Sequence, residues 1–398
     1  MKRRDFMCAA VPGALALLNA KLWAAGPGDA KLLVVMLRGA YDGASLLVPY
    51  SSEFYYRSRP GIAVPRPDSR GPDSGVALDA DWALNPVVKD SLHAMYAAKQ
   101  ALFIPFSGSE DLSRSHFQAQ DLMELGQGSG ALDYSSGYLN RLVEALAGGA
   151  PAGISFTNNL TPVFKGAIPV PNISLRGNMQ NNLPPRQSEL IAALYEGTAL
   201  SGMATAGIET RKMVSGELMT EMTESSRGAG PARAFESRAR AMAKLMRDRS
   251  AYSIGFADVG GWDTHVDQGS AQGALAANLA GLSSGLAVYA REMGALWKST
   301  VVVVMSEFGR TFRENGNRGT DHGHGNTLWV LGGGIAGGRI AGRQIAVSEA
   351  SLFQNRDFPV LNDYRSVLAD LFARMYGLGG EALGRVLPGA KAEDYGFI

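Results

Sequence analysis

Asp321, His322 and His324 lie together in a turn punctuated by Gly323 and Gly325, in a 398-residue chain with only five histidines. Imidazole beside carboxylate is the nitrogen and oxygen ligand set of Zn²⁺, Mn²⁺ and similar divalent ions. A second carboxylate–imidazole pair, Asp263 and His265, closes the run Gly261-Trp-Asp-Thr-His265, and Asp42 and Glu307 are further acids in comparable settings. Ser115 offers a hydroxyl that becomes a nucleophile when a base or a metal activates it, and His116 stands next to it. Arg38 and Arg310 could grip a substrate oxyanion through two parallel hydrogen bonds, or could pair with the acids named here.

Each of these residues follows or precedes an apolar run. Val301 to Met305 are five consecutive apolar residues, four of them β-branched. That pattern predicts a strand buried on both faces of a parallel sheet, with Glu307 and Arg310 emerging at its end. Lys31 to Leu37 predicts the strand that delivers Arg38 and Asp42; an Asp-Gly turn at 42–43 is the plainer reading of that acid. Ala101 to Phe106 predicts a strand followed by a polar loop, then Ser115-His116 at the head of a helix over 118–124. A serine there serves as an N-cap, and the same position suits a nucleophile because a helix N-terminus receives anions. Ser45, close to Asp42, is a rival nucleophile whose neighbours Leu46 and Leu47 point it toward burial.

Ala251 to Ala257 predicts the strand ahead of Asp263 and His265. A long helix over 272–297 then leads into the 301–305 strand, a βαβ unit. Further elements are a strand at 327–331, an amphipathic helix at 86–99 and a final helix at 363–375. Residues 51–80 carry Pro and Gly without periodicity and read as a surface loop. Residues 150–250, with helical runs at 187–195 and 232–246, read as an insertion or cap. In open α/β sheets the ligand crevice lies beyond the carboxyl ends of the strands, where these candidates would gather.

Composition narrows the class. At 46% hydrophobic and 19% charged, with a net charge of +1, the chain is globular and shows no basic excess for nucleic acid. Residues 1–25 carry Arg3-Arg4 with Phe6, an apolar run and a small-residue stretch, the layout of a twin-arginine export signal. The expected partner is therefore the twin-arginine machinery, and the expected location periplasmic or secreted. Residues 1–24 hold Lys2, Arg3, Arg4 and Lys21 against Asp5, so their removal changes the charge from +1 to about −2 (+1 minus +3). Cys8, the only cysteine, falls within that signal. The mature chain thus offers neither disulfides nor thiolate metal ligands. No later apolar run reaches bilayer length, so an integral membrane protein is not expected.

The order of acid, hydroxyl, Asp with His, acid and His resembles the alkaline phosphatase and sulfatase superfamily. More closely, Tyr41-Asp-Gly43, Ser115-His-Phe117, Gly261-Trp-Asp-Thr-His265, Ser306-Glu-Phe-Gly-Arg310 and Asp321-His-Gly-His324 resemble a family of exported bacterial proteins of unknown function placed in that superfamily. The resemblance spans nearly the whole mature chain. It implies an alkaline-phosphatase-like α/β domain over 26–398, with a mostly parallel central sheet, helices on both faces and a cap at about 150–250. It implies divalent metal, whether Zn, Mn, Ca or Mg, with Asp42 and Glu307 as acids of one site. Asp263, His265 and one of His322 or His324 would form another, with Ser115 at the nucleophile position and His116, Arg38 and Arg310 in catalytic roles.

Two departures matter: Glu307-Phe308 stands where the superfamily has Asp-His, and Asp263 and His265 are unusually close. His116 or the second of the paired histidines could replace a lost ligand. The implied function is an exported metal-dependent hydrolase or transferase acting on phosphate-type esters, small or envelope-derived. Alternatives are a non-catalytic metal-containing envelope binding or assembly protein, and a sulfatase. Around Ser115 the chain lacks the Pro and Arg that formylglycine conversion requires, which favours a phosphoesterase over a sulfatase.

Overall fold

β1 (Lys31–Leu37) is buried along its whole length, and its alternating side chains serve two different cores. With β2 (Ala101–Gly108), β3 (Ala152–Ser155), β4 (Tyr252–Val259), β5 (Thr300–Ser306), β6 (Asn326–Gly332), β7 (Arg339–Ile340) and β8 (Asn362–Asp363) it forms one eight-stranded sheet. The order is β7-β2-β6-β5-β1-β4-β3, with β8 also paired to β2. These coordinates are a computed structural model that describes residues 30–130, 132–146, 152–175, 193–198, 201, 231–249 and 252–397.

The sheet is mostly parallel, as the sequence predicts. β1 runs parallel to β4 and β5, and β3 to β4. β6 alone runs antiparallel to both its neighbours, β2 and β5. Its start therefore lies at the same sheet edge as the ends of β1, β2, β4 and β5. The 307–325 loop leaves β5 and re-enters as β6 without crossing the sheet, which keeps His322 at that edge.

Helices cover both faces. Leu33, Val35, Val302 and Val304 pack toward α3 (Pro231–Asp248) and α4 (Ala274–Met293) through Met242, Met246, Leu279 and Leu286. Leu32, Val34, Val301 and Val303 pack on the other face against α1 (His116–Leu125), α2 (Tyr138–Ala145) and α5 (Tyr364–Tyr376). Full burial of one Val or Leu stabilises by roughly 1.5–3 kcal/mol, so the strand at 301–304 is held by its apolar side chains rather than by the acid that follows it. α4 carries the chain from β4 to β5, which flank β1 on opposite sides.

Several expectations need correction. Residues 53–58 are helical, and Tyr55, Arg59, Ile62 and Val64 in the expected surface loop are buried. Phe54 stacks on Phe312 at 5.2 Å, so tertiary packing supplies what local periodicity lacks. The expected helix at 86–99 is broken into the short pieces Pro86–Val88, Lys89–His93 and Ala94–Ala97. The flanks of 150–250 belong to the main layers: β3 is an edge strand of the sheet, and α3 lies along α4. The rest of the expected cap, at 176–192, 199–200 and 202–230, lies outside the described residues, as does the expected export signal at 1–25. Among the described residues no helix is long and apolar enough to cross a membrane.

Candidate metal centre

Three histidines from three separate segments turn their Nε2 atoms toward one carboxylate. His116 is the first residue of α1, a helix held to the sheet by Ala119, Leu122 and Met123 and ended by Gly126 at φ +64°. His265 follows β4 in a loop pinned by buried Trp262, whose indole N–H donates to Val259 O at 3.0 Å. His322 lies in the 307–325 loop, bridged to Arg310 across a short antiparallel contact. Gly323 is required there, because a Cβ would come within 2.4 Å of the Arg310 carbonyl.

His116 Nε2 is 2.9 Å from His322 Nε2, which is 3.1 Å from His265 Nε2. Asp263 Oδ1 lies 2.9 Å from His265 Nε2 and 3.4 Å from His322 Nε2, and its Oδ2 lies 3.5 Å from His116 Nε2. The other nitrogen of each ring is engaged: His116 Nδ1 with Glu307 Oε1 at 2.8 Å, His265 Nδ1 with Asp321 Oδ1 at 3.1 Å, His322 Nδ1 with Arg114 O at 3.0 Å. Carboxylates and carbonyls only accept, so each Nδ1 carries the proton and each Nε2 presents a lone pair in the neutral ring. Hydrogen-bonded histidines with the second nitrogen free are the usual arrangement behind a metal ion.

Electrostatics fit the same geometry. The hydrogen bond to Glu307 raises the His116 pKa, while burial, and then the facing His116, lower that of His322. Burial pushes Glu307 upward, but hydrogen bonds from His116, Gln120 and the Gly39 N–H hold it below its usual range. Gly39 supplies that N–H at 2.8 Å from a backbone at φ +114°, where a Cβ would come within 2.7 Å of Asp263 N. Partial burial of Asp263 is outweighed by Arg310, whose Nη1 donates to Oδ1 at 2.6 Å, so this carboxylate too is held low.

The structure thus gathers His116, Asp263, His265 and His322 and redistributes the other candidates. Glu307 stands behind His116 and does not face the shared space, and Asp321 stands likewise behind His265. Asp42 is buried away from the three rings; Arg59 Nη2 at 3.0 Å, Ser45 Oγ at 2.7 Å and Gln268 Nε2 at 2.7 Å engage its oxygens. Ser45 is fully buried in that contact, which does not suit the rival nucleophile. His324 points elsewhere, 5.0 Å from the Phe353 ring.

Arg38 is engaged by Asp258 and Glu124 at 2.8 Å each and by Gln120, and Arg310 by Asp263 and Thr320, so both pair with protein groups. Phe308 stacks under His116 at 4.9 Å. Ser115 occupies the N-cap position of α1, half-buried, and its hydroxyl makes no capping hydrogen bond.

Sequence reasoning missed Gln120, Arg59, Gln268 and the Arg114 carbonyl. Gln120 was findable, since it sits one helical turn from His116 and so shares its face. Nothing local signals the others.

The fold and site define a mixed α/β protein with a histidine–carboxylate cluster at the carboxyl edge of its sheet. Residues 29–388 match the family described as "Protein of unknown function (DUF1501)", and the chain belongs to that family. No curated protein matches it. Among solved structures it is similar to a protein in the alkaline phosphatase superfamily from Vibrio parahaemolyticus, at 10% identity and a TM-score of 0.40, covering 92% of this chain and 71% of that one. It is also similar to the lipoteichoic acid synthase LtaP from Listeria monocytogenes, at 6% identity and a TM-score of 0.37, covering 90% of this chain and 74% of that one.

Proposed function

We propose that His116, His265, His322 and Asp263 hold a divalent cation, and that the protein is an exported metal-dependent hydrolase or transferase of phosphate-type esters. The observation that carries the metal reading is the meeting of His116 Nε2 and His322 Nε2 at 2.9 Å beside Asp263, with both Nδ1 atoms engaged. Two ring lone pairs so close repel unless a proton or a cation lies between them. Neighbouring ligands around an ion with bonds of about 2.0–2.2 Å stand about 3 Å apart, which the spacing here matches. Nitrogen-rich donors without thiolate favour Zn²⁺ over Mn²⁺, Ca²⁺ or Mg²⁺.

When bound, the ion would supply Lewis-acid polarisation of a phosphoryl oxygen. Ser115 is the nucleophile in this reading: it adjoins a ligand, its hydroxyl is not used as a cap, and it lies at the positive end of α1. A bond forms from Oγ to phosphorus and the P–O bond to the alcohol breaks. The Oγ proton passes to water and the departing alkoxide takes one from water; attack on phosphorus by a second water or an acceptor alcohol, which loses its proton to solvent, then breaks the Oγ–P bond and restores Ser115. Arg38 and Arg310 take positioning roles, Arg38 through Gln120 and Arg310 through Asp263.

The engagement of both arginines by protein acids is the observation that favours a second reading, a non-catalytic metal-containing envelope protein. Metal analysis of the exported protein, with a panel of chromogenic phosphate and sulfate esters, separates the readings. Stoichiometric metal with phosphate-ester turnover that Ser115→Ala abolishes while retaining metal is the expected result. Metal without turnover on any ester supports the second reading. Absence of metal under replete conditions defeats both, and a formylglycine mass at Ser115 would indicate a sulfatase.

A further inference from the structure

Asp263 and His265 come from one loop and His322 from another, and only a fixed spacing between those loops brings their donor atoms together. Gln268 lies between them, fully buried. Its Oε1 accepts from Thr264 Oγ1 at 2.8 Å and from Thr320 Oγ1 at 2.7 Å. Thr264 separates Asp263 from His265, and Thr320 stands two residues before His322, so the amide oxygen touches both ligand-bearing loops next to their ligands. The Gln268 Nε2 donates to Asp42 Oδ2 at 2.7 Å. A carboxylate only accepts, so Asp42, itself held by Arg59, fixes which end of the amide faces the threonines.

The circuit closes on the ligands. Arg310 Nε donates to Thr320 Oγ1 at 3.2 Å and its Nη1 to Asp263 Oδ1 at 2.6 Å, while Thr320 N donates to Thr264 O at 3.2 Å.

We propose that Gln268 is the positioning residue of this centre: oriented by the buried Asp42–Arg59 pair, it clamps the two loops through Thr264 and Thr320. It thereby sets the distance of Asp263 and His265 from His322. The inference rests on the metal reading above. It also gives the Asp42 motif a task at the site although its carboxylate does not reach the ion's place.

Thr264→Val and Thr320→Val each remove one hydroxyl at nearly constant shape, and Thr→Ser at the same positions retains it. Zn²⁺ affinity is read by competition with a chromogenic chelator, coordination by the visible absorption of Co²⁺, and metal-free melting by circular dichroism. Each Val variant should bind Zn²⁺ about 10–100-fold more weakly, with an altered Co²⁺ spectrum, and each Ser variant should match wild type. Thr320 also supports Arg310, so if Thr320→Val does not fold, Thr264→Val decides alone. Wild-type affinity and spectrum in a folded Thr264→Val protein overturn the clamp while leaving the metal reading intact. Failure of the wild type itself to bind Zn²⁺ or Co²⁺ overturns the metal reading and the clamp with it.

Discussion

Glu307 accepts the Nδ1 proton of His116 across 2.8 Å and so turns the other ring nitrogen toward Asp263 and His322. The carboxylate is completely buried, yet Gln120 Nε2 at 2.9 Å and Gly39 N at 2.8 Å also donate to it and keep it charged. Its influence on the centre therefore passes through His116. Glu307→Gln should lower metal affinity roughly 10–100-fold, the range for carboxylates that support a ligating histidine. Chelator competition on the folded variant checks this; unchanged affinity would show that His116 needs no such support.

Asp42 and Arg59 are an ion pair with both side chains out of solvent. Asp42→Ala leaves the guanidinium buried without its counter-charge and should cost about 3–5 kcal/mol in urea unfolding of the metal-free protein. A residue acting only as a metal ligand would show its loss in the metal-loaded protein alone. Replacing both members by apolar residues should restore much of the stability, since a well-packed apolar pair avoids the desolvation that the ion pair suffers.

His324 supplies a pH signature of folding. Burial, reinforced by the nearby Arg114 charge, pushes its pKa down to about 4, from 6.5 in the unfolded chain. Between those values the unfolded chain binds the extra proton, so this residue's contribution is complete above pH 6.5 and declines as pH falls to about 4. The full effect is on the order of 3 kcal/mol. His324→Phe should flatten that part of the stability profile; an unaltered profile would mean that the ring protonates inside the fold as readily as outside it.

Export is the fourth expectation. Replacing Arg3 and Arg4 with lysine should leave the precursor in the cytoplasm with its N-terminal segment intact, as immunoblots of cell fractions would show. Normal accumulation of the double variant outside the cytoplasm would exclude the twin-arginine route.

The sheet was legible because β1 and β5 are runs whose length and β-branched content admit few other structures, and their carboxyl ends carry the acids. The direction of β6 was not legible, since a strand's direction depends on how the preceding loop returns. His322 and His324 look interchangeable by local spacing. They diverge because Arg114 O, 208 residues from His322 in sequence, fixes one ring, and Phe353 receives the other. Asp42 reads as a site acid until Arg59 appears beside it, from a stretch where Pro and Gly erase the periodicity that would mark a buried residue. Glu307 was legible at this edge, but its contact with His116 Nδ1 was not, because sequence shows that an acid and an imidazole are near, not which atoms of each meet.

His116 and His322 stand 206 residues apart along the chain. The entropy of closing so long a loop grows only as the logarithm of its length, and pairing of the strands brings both segments to one sheet edge with no ion needed to gather them. Sheet formation performs that closure, so on the proposed metal reading the cage would be assembled before any ion arrives. Uptake should then be a simple bimolecular encounter with a standing pocket, first order in added ion, and its rate should not track the rate at which the protein unfolds.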